Sequence, residues 1–343
     1  MSAVTTSNQL PLYKINQEVS PADLFKTPTL QYVCLKINDI CNAKCSFCDI
    51  WQKQIDHHPD INWLHIIDDL IDLGAKEINI HGGEAFLSKT FFPMLEYGGH
   101  RTAFSIITNG ILLTRFYERL FKANIRRIYI SIDHYDPLLN AKSRGIPKLE
   151  KELFPVIEKI KKEQPHVQLI VNHVVSSYNI DTIDLLIIKM MELGFDAINL
   201  IPIKDTPNLY VSKSQIATFY MKIDKILEEG LISSKCFLNG LYKLYGTESN
   251  WDLATKGIYN MQQKKACIIP AAVMFINGPD GNVFPCDTTM YRKNKEQYIM
   301  GNVLKNTVKE VWLGETFQEF RKKMFPKITC SCIQGCDPAN AIY

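Results

Sequence analysis

Between residues 31 and 235 the apolar positions alternate between two patterns. Short runs rich in β-branched and aromatic residues read as strands: QYVCLKI (31–37), KEINIH (76–81), FSIITN (104–109), RIYISI (127–132), VQLIVNHVV (167–175) and DAINLI (196–201). Stretches with apolar residues at helical spacing lie between them. NWLHIIDDLIDLG has Asn62 placed to cap its start and Gly74 its end, and TIDLLIIKMMELG and SKSQIATFYMKIDKILEEG also close on glycine. Six strands, each followed by a helix, predict an α/β fold with a parallel sheet and right-handed crossovers. Periodicity alone leaves an open sheet and a curled one equally possible. In either form reactive groups gather at the carboxyl edge of the strands.

After Gly230 the pattern changes. CFLNGLYKLYGTESNWDLATKGIYNMQQKKAC has no clear period, and AVMFINGPDGNVFPC reads as a hairpin turning at NGPDG. VKEVWLGETFQEFRKKMF predicts one last helix before CSCIQGC. The expected organisation is an N-terminal segment at 1–30, a core at 31–235 and an extension at 236–343 that holds its own metal.

Composition narrows the function classes. The 343 residues are 46% hydrophobic and 22% charged, as in an ordinary globular protein. No run of about 18 apolar residues occurs, and the start MSAVTTSNQLPLYK lacks the apolar centre of a signal peptide. A cytoplasmic protein with no membrane partner is expected. The net charge of +3 is too small to predict a nucleic-acid partner.

The ten cysteines are clustered. Cys41, Cys45 and Cys48 directly follow the first strand, Cys267, Cys286, Cys330, Cys332 and Cys336 lie in the extension, and Cys34 and Cys236 stand alone. A reducing compartment disfavours a disulfide framework, so two groups of soft ligands predict two metal sites. The spacing C-x3-C-x2-C lets three thiolates on one loop reach an iron–sulfur cube. Three protein ligands leave one iron open, by the logic that separates catalytic from structural zinc. A zinc site that takes a fourth ligand from His57 or His58, or plain structural thiols, are the alternatives.

CNAKCSFC, with Phe47 before the last cysteine, resembles the signature of the radical S-adenosylmethionine (SAM) superfamily. The resemblance implies a partial (β/α)6 TIM-like barrel, a 4Fe-4S cluster on Cys41, Cys45 and Cys48, and SAM on the open iron. HGGEAF resembles the family's Gly-Gly-Glu motif, in which Gly82, Gly83 and Glu84 would meet the SAM amino group; Ala85 stands where the family usually has proline. TNG and SID resemble the ends of the third and fourth family strands, implying SAM contacts from Asn109, Ser131 and Asp133. KSRG places Arg144 where related enzymes hold the SAM carboxylate, and INLIP resembles the adenine-contacting strand. Strand-end turn residues and a surface arginine are the plainer readings of these positions. The resemblance covers roughly residues 30–230.

Cys267 and Cys286 bracket the hairpin, and Gly281 opens a G-x4-C pattern that resembles the SPASM extension and its shorter twitch form. Five cysteines fill one four-ligand site with one spare, so a single auxiliary 4Fe-4S cluster is expected. Zinc is the alternative, and which of Cys330, Cys332 and Cys336 is spare is not fixed by the spacing.

The resemblance implies reductive cleavage of SAM to a 5′-deoxyadenosyl radical that removes a substrate hydrogen, with flavodoxin or ferredoxin as electron donor. A fully ligated auxiliary cluster points to an oxidoreductase. The first substrate reading is a small polar metabolite such as an aminocyclitol or sugar. A second is a peptide maturase, less expected because only about 40 residues precede Cys41, few for a leader-binding domain. A pterin-precursor cyclase is disfavoured by the ending DPANAIY, which lacks the Gly-Gly tail. A radical SAM epimerase would use Cys236 as hydrogen donor, against the plainer reading of a buried inert thiol. A non-enzymatic iron–sulfur sensor would need no SAM pocket. Substrate-gripping residues are expected near Asn172, His173, Lys204 and Asp205.

Overall fold

The computed structural model describes residues 20–147, 149–203, 206–237, 267, 269–291 and 294–325. Lys204, Asp205, Cys330, Cys332 and Cys336 lie outside the described residues. The six expected strands are all present: β1 (Tyr32–Lys36), β2 (Glu77–His81), β3 (Ala103–Thr108), β4 (Ile125–Ser131), β5 (Gln168–Val175) and β6 (Ala197–Pro202). Each pairs in parallel with the next in chain order. The order runs 6-5-4-3-2-1 without reversal, so right-handed crossovers put the connecting helices on one face. A doubly wound sheet would reverse its order partway. This is the partial (β/α)6 TIM-like barrel.

Local chemistry explains the helix limits. Asn62 accepts from His65 N (3.2 Å) at the start of Trp63–Asp72, and Ser212 forms a capping box with Gln215 at the start of Lys213–Glu228. Gly74, Gly194 and Gly230 follow their helices with φ of 90°, 93° and 67°, a backbone region that disfavours a side chain.

The two faces of the sheet differ. Val33, Leu35, Ile78, Ile80, Phe104, Ile106, Ile128, Ile130, Leu169, Val171, Ile198 and Leu200 are buried in the main core, with the helices. The alternate positions form the inner face, and many are polar. Glu77 and Arg127 pair there near the strands' amino ends, at 2.7 and 2.9 Å with both side chains buried. Asn79 donates to Ser105 Oγ (3.0 Å) on the same face.

The extension continues this sheet. β7 (Val273–Asn277) lies parallel beside β1, with Tyr32 opposite Val273 and Lys36 opposite Asn277. β8 (Asn282–Phe284) returns antiparallel as the expected hairpin, and β9 (Gly301–Asn302) pairs with it. The expected last helix is instead two, Val308–Leu313 and Glu315–Lys322. Gly314 between them is extended (φ −65°, ψ 156°), which breaks the helical path. The first of the pair docks on the core, where Val308 N–H donates to Asp69 Oδ2 (2.9 Å). No described helix is long and apolar enough to cross a membrane.

Candidate active site

The loop after β1 is held by backbone bonds on two sides. On one side, Gly83 N–H donates to Asn38 O (3.1 Å) and Glu84 N–H to Ile40 O (2.7 Å), while Asn38 Nδ2 donates to Glu84 O (3.1 Å). On the other, Lys44 N–H donates to Arg144 O (3.1 Å) and Ser46 N–H to Ser143 O (3.0 Å). The cysteine loop is therefore fixed between the Gly-Gly-Glu loop of β2 and the C-terminus of the helix Pro137–Arg144.

That close approach explains the glycines. A Cβ on Gly82 would overlap Asn38, and one on Gly83 would overlap the Ile40 carbonyl and stand 3.0 Å from Cys41 Cβ. Gly83→Ala is expected to push the cysteine loop away, costing about 1–3 kcal/mol of stability. Iron analysis after anaerobic reconstitution should show the first cluster lost or weakly held; full iron retention would contradict this role.

Glu84 is fully buried. Its carboxylate accepts from Thr108 Oγ1 (2.9 Å), Asn109 N–H (2.8 Å) and Phe86 N–H (3.4 Å), so in this structure it braces the loop after β2 against the end of β3. Asn109 in turn donates from Nδ2 to Asn42 Oδ1 (2.8 Å), inside the cysteine loop. Burial pushes the Glu84 carboxyl up from 4.5 to about 7, against the pull of its three donors. A folded-state value above the unfolded one means stability present below about pH 4.5 and lost as pH rises through about 7. The size is on the order of 3 kcal/mol. Urea denaturation of cluster-free protein should show that loss between pH 4.5 and 8, and Glu84→Gln should flatten it; equal slopes would refute the assignment.

Asp133 and Arg144 form a second buried unit. Asp133 is fully buried, with Arg144 Nη2 donating to Oδ1 (2.8 Å) and Arg144 Nε 2.7 Å from Oδ2. Ser143 Oγ (3.2 Å) and Val174 N–H (3.1 Å) also donate to this carboxylate. Asp136 caps the helix carrying Arg144, accepting from Leu138 N–H (2.8 Å) and Leu139 N–H (3.1 Å). The guanidinium sits 5.5 Å from the centre of the Phe47 ring. The structure thus brings Phe47, Asp133 and Arg144 together under the cysteine loop, with Arg144 engaged by a carboxylate of the chain itself.

Cys41, Cys45 and Cys48 are free and partly buried. Burial pushes the Cys45 thiol up to about 11, with nearby Arg144 pulling the other way, and raises Cys41 as well. The metal-free loop therefore carries protonated Cys41 and Cys45 at neutral pH, and cluster loading must release those protons. Among the described residues no three His, Cys, Asp or Glu side chains already converge as a metal site. The donor set nonetheless fits the cluster: three soft thiols on one loop, without a fourth cysteine in it.

The inner face at the carboxyl edge carries two polar arcs. Asn277, Lys36 and His81 are register neighbours, each the last residue of its strand. Ser131, Asn172 and Asn199 are register neighbours across β4, β5 and β6, and Asn199 donates to Asn172 Oδ1 (3.0 Å). Lys36 pairs with Asp39 at 2.5 Å, both buried, and Asn277 Oδ1 is buried without a hydrogen-bond partner among the described residues. Burial, aided by the Lys36 charge, pushes His81 down to about 3, so it is neutral. Sequence reasoning missed Lys36, Asp39, His81, Asn199 and Asn277. A lysine inside the apolar run YVCLKI was the available signal.

Two expected residues lie elsewhere. His173 is fully buried, alternates with Asn172 along β5 and so faces the helices, with Nδ1 3.1 Å from Ile132 O. Cys236 is buried, next to Phe237, which bridges to Ile198 near the amino end of β6. That is four residues short of the strand's end, about 13 Å by strand rise. The structure does not bring Cys236 to the site, and burial pushes its thiol up to about 12.

Cys267 and Cys286 flank the hairpin at its open end, and Cys267 N–H donates to Met324 O (3.1 Å). Cys267 is buried and Cys286 partly so. Their soft thiol chemistry and shared end of the hairpin fit an auxiliary cluster.

Comparison with known proteins agrees with this geometry. The radical SAM superfamily model matches residues 35–200, and the SPASM iron–sulfur cluster-binding domain matches 267–337. A tungsten-containing aldehyde ferredoxin oxidoreductase cofactor-modifying protein of Pyrococcus furiosus is 25% identical, over 90% of this chain and 89% of its own. A GTP 3′,8-cyclase of Alkaliphilus oremlandii is 32% identical, but that match spans 32% of this chain and about a third (36%) of the cyclase. Among solved structures, Streptococcus suis SuiB bound to its precursor peptide SuiA aligns with a TM-score of 0.66 at 16% identity, over 92% of this chain and 73% of SuiB. Native anSMEcpe with bound AdoMet and the Kp18Cys peptide aligns at 0.63 and 17% identity, over 89% and 88%. With the cysteine loop, the Gly-Gly-Glu clasp and the hairpin cysteines in place, the chain belongs to the radical SAM superfamily and carries a SPASM iron–sulfur domain, with a 4Fe-4S cluster, SAM and an auxiliary cluster as its cofactors.

Proposed function

We propose that this radical SAM enzyme oxidises a small polar metabolite at a C–H bond beside a hydroxyl or amine. The observation that carries this reading is the pair of polar arcs at the carboxyl edge, Asn277–Lys36–His81 and Ser131–Asn172–Asn199. A site lined by amides, a hydroxyl, a neutral imidazole and an ammonium already paired with Asp39 suits a ligand rich in hydroxyl or amino groups, because each buried polar group needs a partner.

Cys41, Cys45 and Cys48 would hold the first cluster, which with SAM supplies reductive cleavage of SAM and removal of a substrate hydrogen atom. The chain's residues position the partners. Gly82 and Gly83 let the cysteine loop close against the loop after β2, Glu84 stiffens that loop, and the Arg144–Asp133 unit supports the cysteine loop beneath. The substrate then loses one electron and a proton, giving the carbonyl or imine. Cys267, Cys286 and further cysteines of the extension would hold the cluster that takes the electron. The Pyrococcus relative's name, a cofactor-modifying protein, supports a small-molecule substrate, and a ferredoxin or flavodoxin would supply the first electron.

Anaerobic reconstitution followed by incubation with SAM, reductant and candidate substrates tests the reading. Sugars or aminocyclitols should yield 5′-deoxyadenosine and a product two hydrogens lighter. Asn172→Ala should raise KM about tenfold, about 1.4 kcal/mol of binding, and leave substrate-free SAM cleavage unchanged. Turnover of peptides alone would replace this reading with a maturase; no 5′-deoxyadenosine with any substrate would favour a sensor.

A further inference from the structure

Arg321 carries a buried charge with no carboxylate beside it among the described residues. It is 2% exposed; Nε donates to Pro270 O (2.8 Å) and Nη1 to Trp312 O (2.7 Å), while Nη2 is buried and has no hydrogen-bond partner among the described residues. The rings of Trp312 and Phe317 lie 4.0 and 4.2 Å from its Cζ. No carboxylate among the described residues pairs with it, and burial alone pushes it down to about 9. Carbonyl dipoles and ring faces offset part of a guanidinium charge; an isolated cation in a dry interior remains costly until an anion joins it.

The position of Arg321 indicates which anion. It hydrogen-bonds Pro270, three residues past Cys267, while Cys267 N–H bonds Met324 O, three residues past Arg321. These two bonds lace the turn after the last helix to the segment bearing a cysteine of the auxiliary site. A 4Fe-4S cube on four thiolates is a net dianion, and gaining one electron, with no bond made or broken, adds a further negative charge.

We propose that Arg321 is the positioning residue and countercharge of the auxiliary cluster, bracing the Cys267 segment and favouring the cluster's reduced state. The proposal rests on the auxiliary cluster and is independent of which substrate the enzyme oxidises. An arginine with a purely structural role would stabilise the chain equally with and without the cluster. A countercharge stabilises only the loaded protein, because in the empty one its charge is unmatched.

The test uses the full chain with Cys41, Cys45 and Cys48 all replaced by alanine, so that the auxiliary cluster gives the sole EPR signal. Redox titration of this protein with and without Arg321→Met should show the reduction equilibrium falling at least tenfold on losing the charge, 59 mV for a one-electron couple. Thermal unfolding should show the substitution destabilising the loaded protein more than the cluster-free protein, because both forms lose the donors to Pro270 O and Trp312 O but only the loaded one loses a countercharge. An unchanged reduction equilibrium, or equal destabilisation of both forms, overturns the proposal. Should Arg321→Met fail to fold, Arg321→Lys decides: the charge is kept, so the equilibrium should stay within threefold of the parent, and a tenfold fall overturns the proposal.

Discussion

Replacing any one of Cys41, Cys45 and Cys48 with alanine is expected to lower 5′-deoxyadenosine formation by at least about a thousandfold, the largest effect of any substitution considered. Iron content should fall from about eight to about four per chain, because the auxiliary cluster has its own ligands. The expectation follows from the loop's construction. Its three thiols are held from both sides, by Asn38 and Ile40 against the Gly-Gly-Glu loop and by Lys44 and Ser46 against the helix bearing Arg144. No fourth cysteine lies within the loop, so losing one leaves two ligands for a cube that needs three. Iron assay and product chromatography check both parts. Retained activity in any of the three variants would remove that cysteine from the ligand set.

The second large effect is expected at Asp133. Asp133→Ala leaves Arg144 in a dry interior without its carboxylate, and breaking such a pair costs about 3–5 kcal/mol. Asp133 also accepts from the Ser143 hydroxyl and from Val174 N–H, so the substitution unties β5 from the helix Pro137–Arg144. That helix holds Lys44 and Ser46 through its last carbonyls, so the first cluster should load poorly while the auxiliary cluster loads normally. Chemical denaturation and site-resolved EPR measure the two consequences. Exchanging both partners for apolar residues of similar size should recover much of the stability without restoring the loop.

The core strands were legible because each is a compact β-branched run bounded by turn residues, and the cysteine loop because its spacing is itself the chemistry. What lay hidden depends on distant contacts. β7 pairs with β1 across some 240 residues, and no local period records that partnership. The clasp of Asn38 on Gly83 and Glu84 is another such contact, as are the Lys36–Asp39 pair under Tyr291 and the burial of Glu84 against β3. Alternation along VQLIVNHVV puts His173 and Asn172 on opposite faces, so both could not line one site. The apolar spacing of the last helix runs on through Gly314, where the backbone is extended instead and divides it in two.

The cluster expected on Cys41, Cys45 and Cys48 would keep one iron open for SAM. EPR of the reduced cluster, in full-length protein with Cys267 and Cys286 replaced by alanine to remove the auxiliary signal, tests it directly. Adding SAM should change the g-values of that signal as the amino acid end of the molecule binds the iron. A spectrum identical with and without saturating SAM would show that no iron of this cluster is open to it.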